Sequence, residues 1–204
     1  MPKFRPRQLK AQETKENLLV AGLRLFHEKG FDHVTVESIA KACNVSKGAF
    51  YVHFNSKYDI FLEKFKDIDG FYLSFVPSIP KEISASEKIL LFFEGQLTYL
   101  RDVLGKDLIR TVYGSALSLT MNENHYLSSP DRNLYKIILA FVEEGVQAGE
   151  FKKDLTADKI SMLVARSMRG TIYDWIIFGD RLDPVEEIQM FTSALLHGLK
   201  CENQ

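Results

Sequence analysis

Two short helices separated by a tight turn are predicted by the sequence TVESIAKACNVSKGAFYVHF, residues 35–54. Thr35 is a good N-cap for the first helix, and Ser46 is a good N-cap for the second. Apolar residues recur with helical spacing on one face of the first helix: Val36, Ile39, Ala40 and Cys43. Asn44 breaks that helix after about two turns, and the second helix follows almost at once.

The second helix is short and amphipathic. Phe50 and Phe54 face inward, whereas the outer surface carries Ser46, Lys47, Gly48, Ala49, Tyr51 and His53. A preceding helix that ends at Lys29-Gly30 braces the pair through one apolar face, which holds Leu18, Gly22, Leu25 and Phe26. This arrangement is typical of a helix-turn-helix unit, whose second helix directs its first amides at a phosphate and its outer side chains at base edges.

The charge is divided unevenly along the chain, although the net formal charge of the 204 residues is only −1. Residues 1–66 contain twelve Lys and Arg against seven Asp and Glu, a net charge of +5. Residues 67–204 contain 14 against 20, a net charge of −6. A basic first third joined to an acidic remainder suggests a nucleic-acid-binding end and a separate body. A chance fluctuation on a solvated surface is the alternative.

Composition excludes several classes of protein. With 46% hydrophobic and 26% charged residues, 12 Gly and 6 Pro, the chain is neither disordered, collagen-like nor a disulfide miniprotein. Cys43 and Cys201 match no metal or redox spacing. No apolar run approaches the roughly 20 residues of a membrane helix, and the start lacks the apolar stretch of a signal peptide. We therefore expect a cytoplasmic protein with no membrane partner.

The sequence contains no recognised catalytic, phosphate-binding or metal-binding motif. It has no Gly-x-Ser-x-Gly elbow, no phosphate-cradling glycine loop and no His-Glu-x-x-His, and its five histidines show no paired ligand spacing. We expect no catalytic residues, no metal and no cofactor, and therefore no enzyme.

Helical periodicity continues to the C-terminal end. Ser56-Lys57-Tyr58-Asp59 opens a long fourth helix through Ile68 that ends before Pro77. Later helices are predicted to start at Ser84, near Leu108, at Ser129-Pro130, at Thr156 and at Asp183-Pro184, with a loop over residues 122–129. The prediction is an all-α fold of about nine helices, with a three-helix helix-turn-helix domain over residues 1–66 and a larger helical domain over residues 67–204.

Three segments resemble the DNA-binding domain of the TetR (tetracycline repressor) family: Leu25-Phe26-x-x-x-Gly30-Phe31, Thr35-x-x-x-Ile39-Ala40 and Val45-Ser46-x-Gly48-x-Phe50-Tyr51-x-His53-Phe54-x-x-Lys57. The resemblance spans about residues 14–62. It implies a homodimeric, ligand-responsive transcription factor, usually a repressor, that binds a palindromic operator in double-stranded DNA. Residues 1–66 would then be the DNA-binding domain with a basic N-terminal arm, and residues 67–204 the ligand-binding and dimerisation domain.

The resemblance also implies the DNA contacts. Thr35 is expected at a phosphate, Lys47, Gly48 and Ala49 at bases or backbone, Tyr51 and His53 at phosphates through their ring edges, and Lys57 as an anchor to the DNA backbone. Alternatives are a solvated Lys57, a Tyr51 ring packed on the core and a His53 that braces the next helix.

For two features near this surface the sequence allows two arrangements each. An acid at Glu37 would repel phosphate unless it turns outward or braces a lysine. The basic arm over residues 3–10, with Lys3, Arg5, Arg7 and Lys10, would lie along or in the minor groove or be a disordered tail.

For the larger domain, the resemblance suggests a ligand cavity among the helices. Candidate lining residues are Tyr72, Phe93, Tyr113, Phe141, Met168, Ile172 and Trp175, with Arg169 as an anion partner. Each apolar or aromatic residue could instead be plain core, and Arg166 and Arg169 could form a salt bridge or a dimer rim. An arginine facing the cavity would favour an acidic or acyl ligand.

The last two helices are apolar around much of their circumference, which predicts a homodimer formed through them. The leading hypothesis is a dimeric regulator that loses DNA affinity when a small apolar or acyl-type molecule enters its body. A helical lipid carrier with a vestigial DNA-binding unit is the alternative from another class, and an enzyme of unrecognised type is a third.

Overall fold

The computed structural model describes residues 6–118, 126–129 and 131–201. Within these ranges the chain forms ten α-helices: α1 (Pro6–Lys29), α2 (Val36–Ala42), α3 (Lys47–His53), α4 (Tyr58–Phe65), α5 (Asp67–Phe75), α6 (Ala85–Tyr99), α7 (Lys106–Ser118), α8 (Asn133–Gln147), α9 (Ala157–Phe178) and α10 (Pro184–Leu199). Among the described residues, β-type pairing is limited to one isolated bridge, between Phe151 and Lys200. The all-α class and the approximate helix number agree with the sequence prediction.

Side-chain caps form at five of the ten described helices, and each of the five lies where the sequence predicts it. Ser84 and Glu87 form a reciprocal capping box at α6, and Thr156 accepts a hydrogen bond from the Lys159 amide at α9. Asp183 caps α10, with Pro184 in its first turn. These polar side chains satisfy amides that a helix leaves without an intrahelical partner.

The long fourth helix is interrupted at Lys66. The structure ends α4 at Phe65, where the Lys66 amide donates to the Leu62 carbonyl at 3.1 Å, and begins α5 at Asp67. Asp67 and Asp69 then lie in the first turn of the new helix, where negative charge is favourable. The chain divides into two compact units at the same place, Met1–Lys66 and Asp67–Gln204.

Two other boundaries differ from the prediction. The first helix begins at Pro6, so the predicted arm is helical over residues 6–10, while Lys3 and Arg5 lie outside the described residues. The eighth helix begins at Asn133 and has no side-chain cap. The Ser129 hydroxyl, predicted to cap it, accepts instead from the Asp131 amide at 3.3 Å, before the helix. Pro130, Leu119 and residues 122–125 of the predicted loop lie outside the described residues, and residues 126–128 form a 3₁₀ turn.

The N-terminal unit is built around a close approach of α1 and α4. A Cβ atom at Gly22 would lie 2.5 Å from the Cδ1 atom of Ile60, so only glycine fits there without movement. The predicted inward residues of α3, Phe50 and Phe54, are both buried. This core holds the two short helices α2 and α3 in place.

The C-terminal unit is a helical bundle in which α6 packs against α8 and α10, and α9 packs against α8 and α10. Its largest fully buried side chains include Tyr72, Phe92, Phe93, Phe151, Ile89 and Leu97. No helix among the described residues is both long enough and apolar enough to cross a membrane.

Candidate DNA-binding surface and buried polar cluster

The turn between α2 and α3 is made by Asn44, which adopts a left-handed conformation with φ of 53°. Asparagine tolerates this conformation better than most residues. The Val45 amide then donates to the Ala40 carbonyl at 3.0 Å and closes the turn. The predicted break at Asn44 is therefore present, and this turn fixes the orientation of α3 relative to α2.

Both predicted caps of this motif are formed. The Thr35 hydroxyl accepts from the Ser38 amide at 3.1 Å, while the Ser38 hydroxyl accepts from the Thr35 amide at 3.2 Å. The Ser46 hydroxyl accepts from the Ala49 amide at 3.1 Å. Thr35 and Ser46 thus have structural roles whether or not they also contact DNA.

The outer surface of α3 is open to solvent. The Lys47 side chain is 53% exposed and Tyr51 is 48% exposed, although the Tyr51 ring also meets the edge of Phe50. Gly48 is exposed and Ala49 is half-buried. A Cβ atom at Gly48 would meet only the Ser46 hydroxyl, at 3.7 Å, so the fold itself does not require glycine there.

His53 lies at the edge of this surface. It is half-buried and lines a groove on the N-terminal unit together with Gln12, Lys15, Leu19 and Glu63. Lys15 and Glu63 form an ion pair across this groove. His53 therefore lies beside α1, and its phosphate contact stays a prediction.

Lys57 is held inside the N-terminal unit. Its ammonium group donates to the carbonyl oxygens of Phe31 at 2.7 Å and Val34 at 2.9 Å. Because a lysine has three donors, two of them brace the segment between α1 and α2. The expected anchoring of the DNA backbone by Lys57 stays a prediction, and a bracing role has to be added to it.

Glu37 pairs with Lys47 across the turn. The hydrogen bond from Lys47 lowers the pKa of Glu37, and the same bond raises the pKa of Lys47. Of the two arrangements that the sequence left open for Glu37, the structure has the one in which it braces a lysine.

Comparison with known proteins agrees with this geometry. Residues 18–63 match the family model described as bacterial regulatory proteins, tetR family. The HTH-type transcriptional regulator AcrR of Shigella flexneri is 26% identical over 196 residues, covering 91% of this chain and 89% of AcrR.

Residues 18–63 form a TetR-family DNA-binding domain.

Two further relatives span nearly the whole chain. The fatty acid metabolism regulator protein of Bacillus subtilis is 23% identical over 185 residues, covering 89% of this chain and 93% of the relative. The structure of Thermus thermophilus FadR, a TetR family transcriptional repressor in complex with lauroyl-CoA, superposes with a TM-score of 0.71 at 20% identity, covering 93% of this chain and 97% of FadR. The chain is a DNA-binding transcriptional regulator, and its C-terminal unit has the fold of such regulators.

The C-terminal unit contains a group of polar residues around two buried side chains, Tyr72 and Arg132. We call this group the buried polar cluster; its other members are half-buried: Asp69, Tyr113, Tyr126, Tyr135 and Arg169. Arg132 is only 6% exposed, and its guanidinium carbon lies 4.7 Å from the ring centroid of Tyr126 and 5.7 Å from that of Tyr135. Arg169 donates to the Tyr135 hydroxyl at 3.0 Å. Two arginines therefore approach one group of tyrosines.

Two oxygen atoms of this cluster are buried without a hydrogen-bond partner among the described residues: the Tyr72 hydroxyl and Asp69 Oδ1. Tyr72 itself is 1% exposed, and burial raises its pKa well above the ordinary value. Asp69 Oδ2 accepts from the Tyr126 hydroxyl at 2.6 Å. Burial raises the pKa of Tyr113 to about 12, and burial followed by the Asp69 hydrogen bond raises the pKa of Tyr126 to about 12.

The predicted ligand-lining residues fall into two groups. Tyr72, Tyr113 and Arg169 belong to the buried polar cluster. The others are buried apolar residues: Phe93, Phe141, Met168, Ile172 and Trp175. Phe92 joins the two groups, because its ring centroid lies 5.2 Å from Tyr72 and 6.1 Å from both Phe93 and Phe141. Arg166 is exposed.

Arg132 was missed by the sequence prediction. The available signal was its position at the start of α8, where a positive charge is unfavourable next to the helix N-terminus. Its positive charge therefore has to be stabilised by other groups. Here these are the ring faces and hydroxyl groups of the surrounding tyrosines.

An exposed apolar surface runs along α9 and α10. Its large side chains are Met162, Tyr173, Ile177, Phe178, Met190 and Phe191. Exposed apolar residues in such number on two adjacent helices mark an interaction surface. TetR-family regulators act as dimers, and these are the two helices through which the sequence predicts dimerisation.

Proposed function

We propose that this protein is a dimeric cytoplasmic repressor, without enzymatic activity, that leaves its operator when an amphipathic acid or acyl-type molecule binds in the C-terminal unit. The observation that carries the proposal is the buried polar cluster. It brings charged and hydrogen-bonding groups together beside the apolar residues of a helical bundle, which is the usual composition of a small-molecule site.

The energetics of the cluster favour the binding of a further polar group. A buried hydroxyl without a hydrogen bond costs about 1–3 kcal/mol. Tyr72 and Asp69 both carry such an oxygen, one helical turn apart on α5. A ligand head group that accepts from Tyr72 would remove part of this cost.

The charges indicate the chemistry of the head group. Arg132 and Arg169 lie within the same cluster, so an anionic or strongly polarised oxygen would be stabilised there. The apolar part of the ligand would lie against Phe92, Phe93 and Phe141. The names of two relatives support an acyl compound: a fatty acid metabolism regulator, and a FadR in complex with lauroyl-CoA.

Release from DNA requires a population shift. The ligand must bind one conformation of the dimer more tightly than the DNA-binding conformation, and a ligand with equal affinity for both shifts nothing. Asp69 and Tyr72 lie on α5, which continues the chain from α4 through the single residue Lys66. A change at α5 is therefore covalently connected to the helix that follows the DNA-binding motif.

A lipid carrier with a vestigial DNA-binding unit is less well supported. Lys47 and Tyr51 remain exposed on a fully capped α3, and the turn at Asn44 is formed. Binding of a lipid would need neither the exposed Lys47 nor the exposed Tyr51, whereas binding of DNA uses such side chains.

The test is a DNA-binding titration with four amphiphiles. Fluorescence anisotropy would follow the full-length protein on a duplex selected from a random library, with lauric acid, lauroyl-CoA, 1-dodecanol or dodecylamine added. We expect lauric acid or lauroyl-CoA to release the DNA and dodecylamine to have no effect. Equal release by all four, or by none, would contradict the proposal.

A conservative variant localises the effect. Tyr72→Phe removes only the unpartnered hydroxyl, so we expect a weaker response to the acidic amphiphile with unchanged DNA affinity in its absence. Tyr58→Phe removes an exposed hydroxyl on α4, outside both the cluster and the surface of α9 and α10, and is the matched control.

A further inference from the structure

Glu37 is an unusual residue to find on a DNA-binding surface. It lies in the first turn of α2, its side chain is 58% exposed, and it pairs with Lys47 at the start of α3. A free carboxylate at this place would repel the DNA backbone. The ion pair removes the net charge but leaves both groups accessible to solvent.

The carboxylate is held in place by Lys47, whose ammonium group donates a hydrogen bond to Glu37 Oε1. Lys47 in turn lies 5.9 Å from the centroid of the exposed Tyr51 ring. An acceptor and a donor are thus fixed next to each other at the N-terminal end of the recognition helix.

This end of a recognition helix is the part that contacts base edges. In the major groove a G·C pair presents two acceptors on guanine, N7 and O6, and next to them the N4 amino donor of cytosine. Lysine binds the two guanine acceptors, and glutamate accepts from cytosine N4. An A·T pair has no two adjacent acceptors, and it ends in the thymine methyl group.

We propose that Glu37 and Lys47 act together to read one G·C pair in each half of the operator, with Lys47 on guanine and Glu37 on cytosine N4. Glu37 is then a specificity-determining residue, and its ion pair with Lys47 is part of the reading surface. The proposal rests on the DNA binding of this protein and adds a base preference to it.

The competing role for Glu37 is electrostatic. If Glu37 only repels phosphates, its removal raises affinity for every duplex to a similar extent. If it accepts from cytosine, its removal changes the preference at one position and leaves the other positions as they were.

The experiment is a selection of binding sites from a random duplex library by the full-length protein and by Glu37→Gln. We expect the wild-type protein to enrich two symmetric half-sites that share a G·C position. Replacement of that pair by A·T should weaken binding about 5- to 150-fold. Glu37→Gln replaces a carboxylate that only accepts by an amide that also donates and that suits adenine as well. It should therefore lose most of the G·C preference and keep the rest of the motif.

Two further variants serve as controls. Glu28→Gln removes the same charge and also breaks an ion pair, with Arg24 at 3.0 Å, on α1. It should enrich the wild-type motif. Lys47→Gln should lose the same G·C preference as Glu37→Gln, and combining the two substitutions should cost little more than either one.

Two results would overturn the proposal. One is a Glu37→Gln motif identical to that of the wild-type protein, and the other is a uniform gain in affinity over all sequences. A wild-type protein that enriches no motif would overturn sequence-specific DNA binding itself, which separates that failure from the failure of the Glu37 proposal.

Discussion

The ammonium group of Lys57 donates to the carbonyl oxygen of Phe31 and lies 4.2 Å from the centroid of the same residue's ring. A single lysine therefore links the start of α4 to the segment after α1 by two kinds of contact. The Phe31 ring also packs against Phe26 and Phe61, with centroids 4.9 and 5.1 Å away. Lys57 thus contributes to the stability of the N-terminal unit.

We expect Lys57→Met to lower the free energy of unfolding by about 1–3 kcal/mol, because two carbonyl oxygens lose a charged donor. Urea denaturation followed by circular dichroism measures this directly. Lys41→Met, at an exposed position of α2, is the control and should change stability little. A Lys57→Met protein of wild-type stability that binds DNA weakly would show that the lysine serves DNA alone.

Gly48→Ala should change stability and DNA affinity in opposite directions. Because a methyl group at this position meets only the Ser46 hydroxyl, Gly48→Ala should fold and gain roughly 0.5–1 kcal/mol from the better helix former. It should bind DNA more weakly, because the added methyl group projects from the surface where the DNA backbone approaches.

The matched control is Gly70→Ala on α5, where a Cβ atom would meet nothing within 4 Å. It should bring a similar gain in thermal stability with no loss of DNA affinity. Gly48→Ala with wild-type DNA affinity would exclude close approach at this residue.

Local signals explain which parts of the fold the sequence predicts correctly. Thr35, Ser46, Ser84, Thr156 and Asp183 each cap a helix through an oxygen that bonds amides two or three residues ahead, so the pattern is visible without tertiary structure. The spacing of apolar residues likewise depends only on the helical period.

The structure differs from the sequence prediction where contacts between residues far apart in the chain determine the arrangement. The pairing of Glu37 with Lys47 and the bonds from Lys57 to Phe31 and Val34 depend on how helices pack, which helical spacing does not contain. The break at Lys66 carried a weak local signal, the acidic residues Asp67 and Asp69, but periodicity alone continued through it. Arg169 on α9 likewise donates to the hydroxyl of Tyr135 on α8, 34 residues away in the chain.

Alkaline pH should destabilise the C-terminal unit. The pKa of Tyr113 is about 12 in the folded protein and about 10 when unfolded. The folded state therefore holds this proton more tightly, so its contribution to stability is complete below pH 10 and is lost between about pH 10 and 12.

The loss amounts to roughly 2–3 kcal/mol for a shift of this size. Urea denaturation at pH 9 and pH 11.5 would measure it, with Tyr113→Phe as the comparison. The variant should lose less stability over this interval than the wild-type protein, and an equal loss in both would assign the effect to other groups.

The apolar surface on α9 and α10 predicts the oligomeric state. Phe191 and Met190 lie next to each other on this surface and are about half or more exposed in one chain. A charge introduced here would be buried in a dimer without a partner, at a cost of several kcal/mol, whereas in a monomer it would stay in water. We therefore expect Phe191→Glu to convert the dimer into a folded monomer.

Light scattering coupled to size exclusion measures the mass, and circular dichroism verifies the helical content. Leu73→Glu, at another exposed apolar position on α5, is the control and should remain dimeric. Because two recognition helices about one DNA turn apart bind the two halves of a palindrome, the monomeric variant should also bind a selected palindromic duplex far more weakly than the wild-type protein. A wild-type protein that is monomeric at micromolar concentration, or a Phe191→Glu protein that stays dimeric, would show that α9 and α10 do not form the interface.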